Sequence, residues 1–272
     1  MFLQTVPPQG GAVLLYSVGM EAPEDPLEKR KGYEQLCGGK PDAVSILART
    51  VRASGTVQRM KTGGYGPENT DIHGNIGGSH AGVIAARELK KYFPEAIIVT
   101  NSRMDARNGR PEERLAEVAR DELKRAHVPA DQIVVQDRSF STLGELLENI
   151  RLAVENEWRH VVILAGGHQV KRATAMLDRI DTVADPAKYR ERPEIREALE
   201  KYAARKEAGA LRITIVASED IVELISRRHR EVVAAAKTSP AWRQTEERDN
   251  AAAQEILDGT YGKRPPPTSI KK

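Results

Sequence analysis

The segment VVILAGGHQVKR, residues 161–172, shows how the chain is organised. Its apolar run stops abruptly at small residues, and a helical pattern follows. Three other segments repeat this arrangement, with short and mostly β-branched apolar runs that end in polar residues: 97–102, 133–142 and 213–220. Continuous apolar runs are typical of strands that are buried on both faces, as in a parallel sheet covered by helices.

The alternation of such runs with helical patterns predicts the fold class: a three-layer α/β sandwich around a mainly parallel sheet of about five strands, Rossmann-like, with extra C-terminal helices. A further apolar run, AVLLY at 12–16, is predicted to be the first strand, whereas the apolar spacing over 42–53 predicts a helix. Open parallel sheets bind ligands outside the carboxyl ends of their strands. We therefore expect the functional residues directly after each apolar run.

The length of 272 residues fits a single α/β domain, which we assign to 1–258. Proline and glycine interrupt 21–79, which is predicted to be an insertion or a lid. Its glycine-rich part, 55–79, is predicted to close over the ligand site. The strongly charged stretch 186–208 predicts a protruding helical segment, and the proline-rich, basic end predicts a disordered tail over 259–272.

Composition excludes several classes of protein. The 42 basic residues nearly balance the 39 acidic ones, which argues against a nucleic-acid binder with one concentrated basic face. Cys37 is the single cysteine, so an intrachain disulfide and a cysteine-rich zinc site are both excluded. The first 20 residues contain no Lys or Arg, and their longest apolar run is far shorter than the ~20 residues of a membrane span. We expect no membrane anchor and a cytoplasmic location.

The most specific local motif of the sequence consists of Gly166, Gly167, His168 and Arg172. Two glycines between a strand and a helix let backbone amides approach a ligand closely, and a helix N-terminus favours an anion. Arg172 follows His168 by one helical turn, so both side chains can point from one face. His168 is the predicted general acid or base, since an unperturbed imidazole titrates near pH ~6.5. The alternative is a tight turn with a surface arginine.

Two more polar turns are expected at the same edge of the sheet. Thr142 is predicted to cap the following helix, with Glu145 at the capping-box position. Polar and basic residues after the run at 97–100 could hold phosphate or carboxylate groups, or form a solvated loop. These turns supply the remaining predicted ligand-binding residues: Asn101, Ser102, Arg103, Ser139, Thr142 and Glu145. His73, His80 and Asp71 lack a recognised metal-binding spacing, so we predict no metal site.

The order of these motifs over residues 81–177, about a third of the chain, resembles the YdcF-like proteins. This is a bacterial family catalogued as a domain of unknown function. The matching positions are Arg87 in the first helix, Asn101 and Ser102 in a small-residue turn, the turn at 128–133, Ser139 and Thr142 in the next polar segment, and His168, Arg172 and Ala173 in the last helix.

The resemblance implies a Rossmann-like sheet, and one relative's association points to S-adenosylmethionine as a cofactor candidate. From the residues themselves, we expect a small anionic or nucleotide-like ligand at the carboxyl edge. We expect an enzyme of unknown reaction, with a transferase or a hydrolase as the most plausible classes. The alternative is a non-catalytic regulatory or interaction protein, linked to cell-envelope processes, that uses 186–208 as its contact surface. The oligomeric state stays open.

Overall fold

The computed structural model describes residues 25–48, 51–54, 59–62, 79–102, 114–184 and 192–261. In chain order the strands are β1 (Ala43–Ile46), β2 (Val51–Ser54), β3 (Arg59–Thr62), β4 (Ile97–Asn101), β5 (Ile133–Gln136), β6 (His160–Ala165) and β7 (Arg212–Ala217). The α-helices are α1 (Pro26–Cys37), α2 (Ser79–Tyr92), α3 (Leu115–Arg125), α4 (Thr142–Glu155), α5 (Val170–Asp178), α6 (Ile180–Val183), α7 (Pro193–Glu207), α8 (Ser218–Glu223), α9 (Arg227–Lys237) and α10 (Pro240–Leu257).

The main sheet has five parallel strands in the order β5-β4-β1-β6-β7. From β1 the chain builds β4 and β5 on one side, and then returns to add β6 and β7 on the other. The strand order therefore reverses beside β1. In open α/β sheets the ligand crevice lies at this reversal, outside the carboxyl ends of the strands. β2 and β3 form a separate antiparallel pair.

Helices cover both faces of the sheet, which confirms the predicted three-layer α/β fold. All residues of β1 and β6 are buried, as expected for central parallel strands. One apolar cluster includes Leu146 and Ile150 of α4 packed with Ile163, on one face. A second cluster includes Leu89 of α2 and Phe93 packed with Leu164, on the other face.

The prediction of a helix over 42–53 is wrong, because this stretch contains the central strand β1 and most of β2. Val44, Ile46 and Leu47 are buried, and a short strand that is buried on both faces lacks the alternation that would distinguish it from a helix. The segment predicted as an insertion thus supplies the centre of the sheet. The predicted strand at 12–16 lies outside the described residues.

The predicted protruding helix packs against the domain instead. From Pro193 onwards the segment forms α7, whose Ile195, Ala198 and Tyr202 are buried in the cluster that contains α4. Residues 185–191 and 262–272, which include most of the expected tail, lie outside the described residues. None of the described helices is long and apolar enough to cross a membrane.

Candidate functional site

The carboxyl edge of the sheet brings several predicted site residues together. Arg172, in α5 after β6, donates from Nη2 to Oγ1 of Thr142, the first residue of α4, at 3.3 Å. Ser102, after β4, and Ala48, after β1, lie close enough to Glu145, one turn further along α4, to lower the pKa of its carboxyl. Segments that follow four of the five parallel strands therefore converge at one place.

His168 is held in a fixed orientation by the last helix. Its side chain is fully buried, and Nδ1 lies 3.0 Å from Oδ2 of Asp249 in α10. The indole of Trp242, also in α10, meets the imidazole edge-on, with ring centroids 5.1 Å apart. A carboxylate at Nδ1 favours the tautomer in which Nδ1 carries the proton and Nε2 the lone pair. In that tautomer Nε2 is the nitrogen that can accept a proton.

Arg172 shares Asp249 with His168. Its Nη1 lies 3.3 Å from Oδ1 of Asp249, while Nη2 contacts Thr142 at the same distance. Both contacts are longer than the 2.7–2.9 Å of strong charge-assisted hydrogen bonds. The Nε atom is buried and has no hydrogen-bond partner among the described residues. Arg172 thus retains hydrogen-bonding capacity at the edge of the site.

The glycine turn has a different role from the predicted one. The Gly166 amide donates to Oε1 of Gln169 at 3.2 Å, and the Gly167 amide donates to Oε2 of Glu219 at 2.8 Å. Both amides thus bind acceptors of the protein itself, because the chain tightens into a short 3₁₀ turn (Gly167–Gln169) before α5. A Cβ atom on Gly166 would lie only 3.0 Å from Nε2 of His168. Gly166 is needed for the close approach of the imidazole to the backbone.

Glu145 is a buried carboxyl group rather than a member of a capping box. The N-cap of α4 is Ser141, whose side chain accepts the Gly144 amide, so the prediction of Thr142 as the cap is wrong by one residue. Thr142 is already helical and uses its hydroxyl for Arg172. Burial raises the pKa of Glu145 to about 8, against the opposing effects of the Ala48 amide, the Ser102 hydroxyl and the Arg172 charge.

The other predicted residues hold the strand ends together. Asn101 is buried and donates from Nδ2 to Oγ of Ser45, at 2.7 Å, and to the Ile46 carbonyl, at 2.9 Å. Ser139 is buried and bonds the side chain of Gln136 at 2.7 Å. These contacts tie β4 to β1 and close the turn after β5, which is a structural role. Arg103 lies outside the described residues, as does most of the glycine-rich segment predicted as a lid.

Three residues of the site were not among the predicted ones: Glu219, Trp242 and Asp249. Glu219 follows β7 in the same way that the predicted residues follow the other strands, so the same reasoning could have found it. Trp242 and Asp249 belong to a C-terminal helix that contains no sequence motif by which they could have been identified. Among the described residues, no group of three or more His, Cys, Asp or Glu side chains is placed to hold a metal ion.

Comparison of the chain with family models, curated proteins and solved structures finds no match. The resemblance to YdcF-like proteins therefore rests on the motifs quoted above.

Proposed function

We propose that the protein is an enzyme that binds a small anionic or nucleotide-like ligand at the carboxyl edge of its sheet, with His168 as the general acid or base. The observation that carries the proposal is the buried His168–Asp249 pair, with Nδ1 and Oδ2 3.0 Å apart. A catalytic imidazole needs a second group to fix its tautomer and orientation. His168 also follows β6 directly, beside the reversal in strand order where ligands bind.

Arg172 is the group that would hold the negative charge of the ligand. Its contacts to Asp249 and Thr142 are long, and its Nε lacks a partner among the described residues. Phosphate or carboxylate oxygens match the planar donor pattern of a guanidinium. Glu145 lies near Arg172, but a pKa of about 8 keeps this carboxyl largely protonated at neutral pH. It therefore adds little negative charge that would repel an anion.

A transferase or a hydrolase is the reaction class that we propose for this acid–base arrangement. The family resemblance makes S-adenosylmethionine, which contains a ribose, a cofactor candidate. In dinucleotide-binding sheets a carboxylate at the second strand binds the ribose. Here that position holds Asn101, which is bound to Ser45 and to the Ile46 carbonyl. No part of the proposal uses such a cofactor, which stays an expectation of the family resemblance.

Mass spectrometry of the small molecules that copurify with the protein tests the proposal. We expect an anionic compound to be retained by the wild type and lost from Arg172→Ala. Lys171→Ala is the matched control, because Lys171 is the exposed neighbour on the same helix. A retained compound then serves as a candidate substrate, which wild-type protein should convert and His168→Ala should bind without converting. Equal retention of the compound by Arg172→Ala would contradict the assigned ligand contact.

Cytoplasmic location and a bacterial origin stay expectations of the sequence reading. The alternative is a non-catalytic interaction protein with 186–208 as its contact surface. The structure weakens the argument for it, because residues 193–207 of that segment form α7, which packs against the domain. It would be favoured if the retained compound were bound by the wild type but never converted.

A further inference from the structure

A cavity of about 690 Å³ lies at the opposite edge of the sheet, where β1, β6 and β7 begin. Strand β6 links the two ends of the molecule: His160, at its start, lines this cavity, whereas His168 follows its end. Ligand cavities in proteins commonly have volumes of about 300–1,000 Å³ and combine apolar walls with a few polar groups. This cavity has both features, and the proposed function makes no use of it.

Four cationic side chains line the cavity: Lys40, Arg159, Lys206 and Arg212. None of them forms an ion pair with an acidic residue within the described part of the chain. The cavity also contains the carboxylates of Asp42 and Asp178. Oδ2 of Asp42 accepts the backbone amides of Arg159 and His160, at 2.7 and 2.9 Å, so this group serves the backbone. The cationic charge of the cavity thus exceeds its acidic charge.

The helix dipole does not account for this excess. A cation in the last turn of a helix is stabilised by the negative end of the dipole, which explains Lys206 at the end of α7. Lys40 and Arg159 lie in loops, and Arg212 begins β7. A second basic cavity, of about 530 Å³, differs in this respect. Its cations include Lys90, Lys91 and Arg125, which lie in the last turns of α2 and α3.

Arg212 is held in place by a turn that requires glycine. Gly38 and Gly39 have φ values of 75° and 128°, which other residues rarely adopt. A Cβ atom on Gly39 would lie 3.1 Å from Nη2 of Arg212, so the guanidinium rests against this turn. The same Nη2 lies 3.3 Å from Nδ1 of His160. The cation is therefore positioned before any ligand arrives, which lowers the entropic cost of binding.

An apolar wall stands beside these cations. It is formed by Tyr202, Leu177 and Leu211, which are largely buried. The Nζ atom of Lys206 lies over the Tyr202 ring, 5.9 Å from its centroid, so this cation has to swing away from the ring before a ligand can contact Tyr202. A flat, apolar group could lie on this wall while its anionic group faces Arg212.

We propose that this cavity binds a small aromatic phosphate, with the phosphate near Arg212 and Lys206 and the ring against Tyr202. Several cations around one opening suit a dianion better than a single charge. The apolar wall distinguishes such a ligand from inorganic phosphate.

Titration calorimetry with phenyl phosphate and inorganic phosphate tests the proposal. Phenyl phosphate should bind at least tenfold more tightly, because only its ring gains contact with the wall. Arg212→Gln should weaken the binding of both probes about tenfold or more, as expected when a charged hydrogen bond is lost. Tyr202→Leu should weaken the binding of phenyl phosphate alone. Asp178→Asn should strengthen the binding of both probes, a gain that damage to the fold cannot produce.

Two controls separate this cavity from other sites. Lys201→Gln removes a cation of α7 that pairs with Glu197 outside the cavity, and it should leave affinity unchanged. Arg172→Ala removes the anion-binding group proposed for the carboxyl edge, so it should leave intact the part of phenyl phosphate binding that Arg212→Gln removes. If Arg172→Ala abolished all binding and Arg212→Gln abolished none, the probe would bind only at the carboxyl edge, which would overturn this proposal while supporting the proposed function. Equal affinity for the two probes, or equal weakening by Lys201→Gln and Arg212→Gln, would also overturn it.

Discussion

Asp249 and His168 are separated by 81 positions in the chain, yet their side chains meet at 3.0 Å in the buried part of the site. The helix that carries Asp249, α10, packs along α5 and the 3₁₀ turn that contains His168. The candidate site is therefore completed by the last described helix. A chain that ended before α10 would keep all five strands of the main sheet but lose the group that orients the imidazole.

Replacement of Asp249 tests this dependence. Asp249→Ala would leave the buried donors of His168 and Arg172 without their shared acceptor, and should lower the free energy of unfolding by roughly 3–5 kcal/mol. Asp249→Asn preserves the shape and should cost less, but its amide can donate to Nδ1 and reverse the tautomer. Urea unfolding measures the first effect, and ¹⁵N NMR of the imidazole measures the second. An unchanged tautomer in Asp249→Asn would show that the carboxylate does not set it.

Gly166→Ala probes the close contact of the backbone with the imidazole. The new Cβ would meet Nε2 and Cε1 of His168 at 3.0 and 3.1 Å, and Asp249 and Trp242 restrict the movement of the ring. We expect a loss of about 1–3 kcal/mol in unfolding free energy, together with displaced imidazole resonances.

Gly32→Ala is the control for Gly166→Ala. In α1 the added Cβ makes only an ordinary contact, 3.6 Å from Leu224, and alanine should stabilise the helix by roughly 0.5–1 kcal/mol. Thermal unfolding of the two variants should therefore shift in opposite directions. A stabilised Gly166→Ala protein would contradict the close contact.

Most of the sheet could be predicted from the sequence, but its central strand could not. The runs that became β4, β5, β6 and β7 are rich in β-branched residues and stop abruptly at small or polar ones. The central run, Ala43–Ile46, is only four residues long and contains a serine. Ser45 fits there because its hydroxyl accepts a hydrogen bond from Asn101, a partner that is distant in the sequence.

The candidate site, too, could be predicted from the sequence only in part. Thr142 and Arg172 could be placed together, because parallel strands deliver the residues that follow them to one edge of the sheet. Asp249 could not be placed, because its position depends on how α10 packs against α5. The hydrogen bond from the Gly167 amide to Glu219 could not be predicted either, since it depends on where α8 begins relative to β6.

Glu157 offers a test of backbone strain after α4. It has a φ of 55°, and the Trp158 amide reaches back to the Ala153 carbonyl, a helix-ending arrangement in which glycine is usual. Glu157→Gly should raise the unfolding free energy by roughly 1 kcal/mol, because a left-handed conformation strains residues with a Cβ. Glu207→Gly, at the exposed end of α7, should instead lower it by up to about 1 kcal/mol. Destabilisation by both changes would exclude strain at Glu157.

Glu145 should make the stability of the protein depend on pH. Burial raises its pKa in the folded state from 4.5 to about 8, so between these values the folded protein binds a proton that the unfolded chain has released. Stability should therefore be greatest below about pH 4.5 for this group, and fall as the pH rises to about 8, by up to roughly 1.4 kcal/mol per pH unit. Glu145→Gln mimics the protonated acid and should remove this part of the decline. Urea unfolding from pH 5 to 8 should show the variant gaining stability over the wild type as the pH rises, whereas parallel curves would show that the Glu145 carboxyl is already ionised in the fold.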